Sequence, residues 1–168
     1  MRIPVFISSP SWENLNDSQK QVRKLVEDQL RRYDLEARSL GSSDYPKEYP
    51  LKEVLVIARQ CSGGVILGFE QFRATKGQWL KAKTKAISKP VPFPTSWNNL
   101  EAGILFGLRL PLLIFKEKEI AGGVFDTGVT DVYVHNMPKP GMPVSQQKGL
   151  REVFLSWQGS VRERYYRL

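Results

Sequence analysis

The 168-residue chain carries 25 Lys and Arg against 17 Asp and Glu, a net charge of +8 that favours anionic partners such as nucleotides or nucleic acid. Its length fits a single domain, residues 1–168, with a proper hydrophobic core. No apolar run approaches the roughly 20 residues of a membrane span, so we expect a cytoplasmic protein without a signal peptide.

One cysteine and one histidine exclude an intramolecular disulfide and a cysteine- or histidine-rich metal site. Cys61 lies near apolar residues and is expected to be a small buried side chain rather than a nucleophile. His135 falls in an apolar, strand-like stretch, which favours a structural or surface role over a catalytic one. We therefore expect no metal centre.

Apolar periodicity predicts strands that alternate with helices along the chain. Strands are expected at 3–8, 35–39, 65–69, 112–115 and 132–134. Helices are expected from a cap at Asp17 or Ser18 to about 33, from about 51, from 96 to about 107, and from about 145 to 167. An irregular loop is expected between the second strand and the second helix. This alternation implies a parallel sheet covered by helices on both faces, with the ligand beyond the carboxyl ends of its strands.

The segment at about 70–95 interrupts this pattern, and we call it the basic insertion. Its six cations stand against one acid, Glu70; they are Arg73, Lys76, Lys81, Lys83, Lys85 and Lys89. Such a long connection in a compact domain is usually functional or mobile. We expect it to border the ligand pocket.

The residues Ser96-Trp97-Asn98-Asn99-Leu100-Glu101 suggest a site on the third helix. Ser96 is expected to cap the helix, and Trp97 and Glu101, four positions apart, to share one of its faces. Leu100 and Ile104 are expected to point to the core, which would place the Glu101 carboxylate at the boundary between core and solvent. There it could hold a ribose and stabilise positive charge at the anomeric carbon. The alternative is a first-turn acid that interacts with the helix dipole.

Short stretches of the chain resemble two groups of known proteins. Val-Phe-Ile-Ser-Ser-Pro-Ser-Trp-Glu-Asn at 5–14 resembles the opening strand and loop of TIR-type domains. The spacing from Trp97 to Glu101 is similar to that around the catalytic glutamate of TIR enzymes that cleave NAD. Leu-Glu-Ala-Gly-Ile-Leu-Phe-Gly at 100–107, followed by Leu-Pro-Leu-Leu-Ile at 110–114, resembles the glutamate helix and next strand of nucleoside 2-deoxyribosyltransferase-like proteins.

The resemblance, which covers roughly residues 3–135, implies an α/β, flavodoxin-like three-layer sandwich with a central, mainly parallel sheet. It also implies an enzyme that cleaves an N-glycosidic bond with Glu101 as the catalytic residue. NAD or a related nucleotide would be a substrate rather than a cofactor, and an ADP-ribose-type signal in prokaryotic antiviral defence would be a possible product. The residues expected to contact the substrate are Phe6, Ser8, Ser9, Phe69, Ser96, Trp97 and Asn98. Among these, Phe6, Phe69 and Trp97 could instead pack in the core.

Two features depart from these families. The basic insertion is longer than the corresponding loop of a minimal TIR domain, and the C-terminal helix at about 145–167 has no counterpart there. Its aromatic residues Trp157, Tyr165 and Tyr166 suggest a contact with a second copy of the chain or with a partner defence protein.

Three alternatives stay open at this point. One is a nucleoside 2-deoxyribosyltransferase or nucleotide N-glycosidase that uses the same glutamate. Another is a nucleotide-binding module without turnover. The third is nucleic-acid binding through the basic insertion and the basic C-terminal tail, whose charges are interleaved with aromatic residues. The sequence does not specify the leaving group, or whether the sugar passes to water, to another acceptor or to a cyclic product.

Overall fold

The computed structural model describes residues 2–40 and 49–167. The strands are β1 Ile3–Ser8, β2 Leu35–Arg38, β3 Gly64–Gly68, β4 Phe72–Ala74, β5 Gln78–Leu80, β6 Thr84–Ala86, β7 Val91–Phe93, β8 Leu112–Lys116 and β9 Val134–Asn136. The α-helices are α1 Asp17–Arg32, α2 Pro50–Arg59, α3 Ser96–Gly107 and α4 Val144–Arg167, and short 3-10 turns occur at Trp12–Asn14 and Gly123–Phe125. Most of the irregular loop predicted after the second strand, at 41–48, lies outside the described residues.

The central sheet has five parallel strands in the order β2-β1-β3-β8-β9. The chain adds β2 on one side of β1 and all later strands of this sheet on the other side. The direction of strand addition therefore reverses between β1 and β3. In open α/β sheets this reversal opens a crevice at the carboxyl ends of the two strands, where ligands bind.

Helices cover both faces of the sheet and make three layers, so the predicted flavodoxin-like α/β sandwich is confirmed. Alternate residues of a strand point to opposite faces. Val5 and Ile7 accordingly pack with α1 and α4, whereas Phe6 packs with α2 and α3. The helix α4 contributes Phe154 and Val161, both fully buried, to the first of these cores.

The helix caps differ from the prediction. Asn16, rather than Asp17 or Ser18, caps α1: its Oδ1 accepts the backbone N–H of Gln19 at 2.9 Å, and the Gln19 side chain accepts the N–H of Asn16 in return. Thr95, rather than Ser96, caps α3 by accepting the N–H of Trp97 at 3.3 Å. In both helices the polar residue before the first helical position is the one that can bond back to the first turn.

The last strand of the sheet lies two residues later than predicted. Val134 pairs with Ile114 and His135 pairs with Phe115, so the strand runs from 134 to 136 rather than from 132 to 134. Val132 instead packs from the preceding loop against the core that faces α2 and α3. The position of this strand is determined by its backbone pairing with β8 rather than by where its apolar residues lie.

The basic insertion contains four short strands that the sequence did not predict. β4 pairs antiparallel with β7, and β5 pairs antiparallel with β6. Each strand has three residues, and β5 and β6 are exposed along their whole length. Such strands bury no face, so the alternation that normally predicts a strand is missing.

No helix in the described ranges is long and apolar enough to cross a membrane.

Candidate functional site

Two buried polar side chains meet where β1 ends. Ser8, the last residue of β1, is 1% exposed, and Asn98 in the first turn of α3 is completely buried. The Asn98 Nδ2 donates a hydrogen bond to the Ser8 Oγ at 2.8 Å. A buried polar contact between residues 90 positions apart fixes α3 over the end of β1 and leaves the Ser8 hydroxyl hydrogen available to another acceptor.

Glu101 lies one helical turn beyond Asn98 on the same face of α3 and is only 9% exposed. Burial raises the pKa of the Glu101 carboxyl to about 7, and a hydrogen bond with Ser8 and the positive charge of Arg23 oppose this rise only in part. Desolvation disfavours the charged form of a carboxyl group. The result is an acid that is poised to gain or lose a proton near neutral pH.

The orientation predicted for α3 was wrong for Leu100 and Glu101, whereas Ile104 packs against the core as predicted. Asn98, Glu101, Ala102 and Leu105 are the buried residues of this helix, whereas Leu100 is 49% exposed. Apolar residues occur on every side of α3, so their spacing does not define the inner face.

Trp97 and Glu101 therefore do not lie at the same boundary between core and solvent. Trp97 is 39% exposed, while the Glu101 carboxyl is inside. A pair four positions apart spans about 40° around a helix, which is enough here for one side chain to reach solvent and the other the interior.

The structure brings Ser8, Asn98 and Glu101 together, and the other predicted contact residues differ from them in burial and in partners. Phe6 and Phe69 are completely buried in the two cores on opposite faces of the sheet. Ser9 is half-buried, and its Oγ donates to the carbonyl of Pro10 at 3.1 Å. Ser96, like Trp97, is exposed at the start of α3.

Sequence reasoning missed Arg23, a cation that is only 5% exposed on α1. Its Nε donates to Glu27 Oε1 at 2.8 Å, one turn along the same helix. Its positive charge reaches Glu101 and lowers the pKa of that carboxyl. One pattern in the sequence could have indicated that Arg23 is buried. It follows Val22 in the apolar face of a predicted helix, and Glu27, four positions later, can supply the acidic partner that a buried cation needs.

Asn98 also offers an unused acceptor. Its Oδ1 is buried and has no hydrogen-bond partner among the residues that the structure describes. A buried polar atom in this state is costly unless something satisfies it. The site thus combines an ionisable carboxyl, a hydroxyl and an amide acceptor. Within the described part of the chain no cluster of three or more His, Cys, Asp or Glu could hold a metal ion.

Hydrogen bonds hold the start of the basic insertion against the neighbouring strand ends. The backbone N–H of Glu70 donates to Glu117 Oε2 at 2.6 Å, directly after β8. The Gln19 Nε2 on α1 donates to the Glu70 carbonyl at 3.1 Å and to the same carboxylate at 3.2 Å. This cross-link fixes the chain as it leaves β3 at the carboxyl edge of the sheet.

A groove of about 1240 Å³ lies between α3 and α4 beside β8 and β9. His135 is among the residues that line it, whereas Ser8, Asn98 and Glu101 are not. The ring of His135 packs against Phe115 and Tyr133, with centroids 5.6 and 4.8 Å apart, and burial lowers its pKa. We place the candidate site at Glu101 because perturbed acids joined to buried polar groups are typical of functional sites, whereas His135 contacts rings.

Cys61 is 3% exposed, as predicted for a small buried residue.

No model of a protein family matches the chain, and no curated protein matches it.

Proposed function

We propose that this protein is an enzyme that cleaves the N-glycosidic bond of NAD or a related nucleotide, with the Glu101 carboxylate beside the anomeric carbon. The observation that carries the proposal is the Glu101 carboxyl itself: it is buried, its pKa is about 7, and it has a hydrogen bond with Ser8 at the end of β1. This is the edge of the sheet at which α/β proteins of this strand order bind nucleotides.

The chemistry requires a negative charge that acts in the transition state. As the bond from the anomeric carbon to the base nitrogen breaks, its electron pair leaves with the base, and positive charge develops on the sugar. The Glu101 carboxylate would stabilise that charge. When water adds to the anomeric carbon, the same carboxylate can accept the released proton, because a base is most useful when its pKa lies near the working pH.

The neighbours of Glu101 have separate parts in this proposal. Ser8 and Asn98 form a short hydrogen-bonded chain that orients the carboxyl, since Asn98 donates to the Ser8 Oγ at 2.8 Å. The unpaired Oδ1 of Asn98 is buried, so a ribose hydroxyl would have to enter the space beside Glu101 to use it as an acceptor. The positive charge of Arg23 favours the ionised form of Glu101, and its effect on the pKa is smaller than those of burial and of Ser8.

Two further observations support a nucleotide as the substrate. The net charge of +8 attracts phosphate-bearing ligands. The stretches at 5–14 and 100–107 resemble enzymes that break N-glycosidic bonds. The choice of NAD over a nucleoside comes from the TIR-like stretches, whereas the transferase-like helix around Glu101 favours a nucleoside. An ADP-ribose-type signal, a role in antiviral defence and assembly with a second copy or a partner protein belong to the same proposal.

A product analysis tests the proposal. The purified protein is incubated separately with NAD, nucleosides and nucleoside monophosphates, each with and without a second free base, and the products are identified by mass spectrometry. Hydrolysis of NAD gives ADP-ribose and nicotinamide. A cyclase gives nicotinamide and cyclic ADP-ribose, which is lighter than ADP-ribose by one water because no water is added. A transferase gives a new nucleoside only with the added base. If none of these substrates is consumed even at high protein concentration, the proposed activity is wrong.

A further inference from the structure

The basic insertion is an antiparallel β-structure that begins directly after β3 and ends directly before α3. Its inner pair, β4 with β7, joins Phe72 to Phe93, and its outer pair, β5 with β6, joins Trp79 to Lys85. A hydrogen bond from the backbone N–H of Ile87 to the carbonyl of Gly77, at 3.0 Å, closes the base of the outer pair. The backbone of the insertion therefore forms two paired β-ribbons.

An aromatic cluster lies on this structure with faces open to solvent. The rings of Phe72 and Trp79 both pack against Phe93, with centroid distances of 6.2 and 6.4 Å. Phe72 is nevertheless 65% exposed and Trp79 41% exposed. Exposed apolar residues that are in contact with one another, unlike residues exposed singly, are typical of binding surfaces.

The cations of the basic insertion divide into two groups. Arg73 forms a bidentate pair with Glu70 at 2.5 and 2.7 Å, and Lys89 pairs with Glu119 at 2.9 Å. The other four are exposed and have no carboxylate partner within the described residues; these four lysines are Lys76, Lys81, Lys83 and Lys85. Lys81 holds its Nζ 5.5 Å from the centre of the Trp79 ring, so unpaired charge and open aromatic surface are side by side.

We propose that the basic insertion binds single-stranded nucleic acid, with the four lysines on the phosphates and with Trp79 and Phe72 stacking on bases. Surfaces that hold single strands combine these two elements: positive charge that follows the backbone and aromatic faces on which bases stack. The proposal concerns a surface distinct from the buried Glu101 carboxyl and does not depend on the proposed reaction.

A single strand fits this surface better than a duplex or an acidic protein. Bases of a duplex are stacked on one another and cannot reach Trp79 or Phe72, whereas bases of a single strand can unstack onto them. An acidic protein would satisfy the four lysines but would leave the aromatic rings without a matching group. Binding should therefore need both the lysines and the rings.

The test is the binding of labelled 20-nucleotide oligo(U) and oligo(dT) to the 168-residue protein, measured by fluorescence anisotropy. No NAD or mononucleotide is added. The variant K76Q/K81Q/K83Q/K85Q should lose most of the affinity. Its matched control, K24Q/R32Q/K148Q/R151Q, removes four exposed cations from α1 and α4 and should bind as the wild type does. Four phosphate contacts predict that wild-type affinity falls about 50-fold between about 50 and 200 mM salt, and that the four-lysine variant loses most of this dependence.

Trp79→Leu and Phe72→Leu test the stacking contribution, with circular dichroism as the check on folding. Loss of one stacked base should weaken binding about tenfold at every salt concentration. Glu101→Gln should bind the oligonucleotides as the wild type does, so failure here is separate from failure of the proposed reaction.

Three results would overturn the proposal. The first is no binding of either oligonucleotide at about 50 mM salt. The second is equal affinity for the four-lysine variant and its control. The third is binding to a duplex of the same length, or to vesicles of phosphatidylserine and phosphatidylcholine, that is as tight as binding to the single strands.

Discussion

A carboxyl group inside a protein loses the hydration that stabilises its charge, and Glu101 is in this position. With 9% of the residue exposed, its pKa rises from the ordinary 4.5 of a glutamate to about 7. The hydrogen bond with Ser8 and the charge of Arg23 offset part of the lost hydration of the carboxylate. The part that is not offset destabilises the folded state when Glu101 is ionised. The same burial that makes Glu101 useful as a base near neutral pH therefore makes the protein less stable when that group is ionised.

This cost predicts that Glu101→Gln stabilises the protein at high pH. The folded protein holds this proton more tightly than the unfolded chain, so the stability that the protonated group contributes is complete below about pH 4.5 and is lost as pH rises through about 7. Glutamine cannot ionise. The free energy of unfolding of Glu101→Gln should exceed that of the wild type only slightly at pH 5 and by about 2 to 3 kcal/mol above pH 8.

Urea unfolding at pH 5 and pH 8 measures this difference. Glu36→Gln is the matched control, because it removes the same charge from an exposed position on β2 and should change stability by less than about 0.5 kcal/mol at both pH values. A Glu101→Gln protein that gains nothing on going from pH 5 to pH 8 would show that the carboxyl is hydrated rather than buried.

At the scale of elements, the sequence predicted the helices and the central strands well where their apolar pattern has one clear period. β1 was predicted over its whole length, and α4 to within one residue at its start. The face of α3 could not be predicted, because Leu100 and Phe106 are apolar but exposed and Asn98 is polar but buried. Its orientation depends on the hydrogen bond to Ser8, which only the tertiary structure reveals. The short strands of the basic insertion could not be predicted for a related reason. None of them has one buried and one exposed face along its whole length.

Two glycines test how closely the elements pack. A Cβ at Gly68, the last residue of β3, would lie 2.5 Å from Cε1 of Phe125, so the ring would have to move. Gly68→Ala should therefore destabilise the protein by about 1 to 3 kcal/mol through overpacking. Gly159 in α4 has no atom within 4 Å of such a Cβ. Gly159→Ala should instead stabilise by about 0.5 to 1 kcal/mol, because alanine is the better helix former.

Thermal unfolding of these two variants beside the wild type gives the comparison directly. The melting temperature should fall for Gly68→Ala and rise for Gly159→Ala. If Gly68→Ala melts at or above the wild-type temperature, Phe125 does not pack over the end of β3 as described.

At the scale of the molecule, the strand order brings the site together from distant parts of the chain. β1 and β3 are neighbours although they are far apart in sequence, and α3 returns over their ends after the basic insertion. The alternation of strands and helices was sufficient to predict a parallel sheet, and the resemblance to predict its flavodoxin-like form. Arg23 was not predictable as part of the site, because its influence on Glu101 depends on how α1 packs beside the sheet.

The central claim is that the charge of Glu101 acts in the breaking of an N-glycosidic bond. The most direct measurement is the rate of nicotinamide release from NAD by the wild type, by Glu101→Gln and by the control Glu36→Gln, at pH 8, where the wild-type carboxyl is mainly ionised. Glutamine keeps the shape of the side chain but loses the charge that stabilises the transition state, so turnover should fall by about a hundredfold or more. Glu36→Gln should retain the wild-type rate. Turnover by a folded Glu101→Gln protein at close to the wild-type rate would contradict the claim.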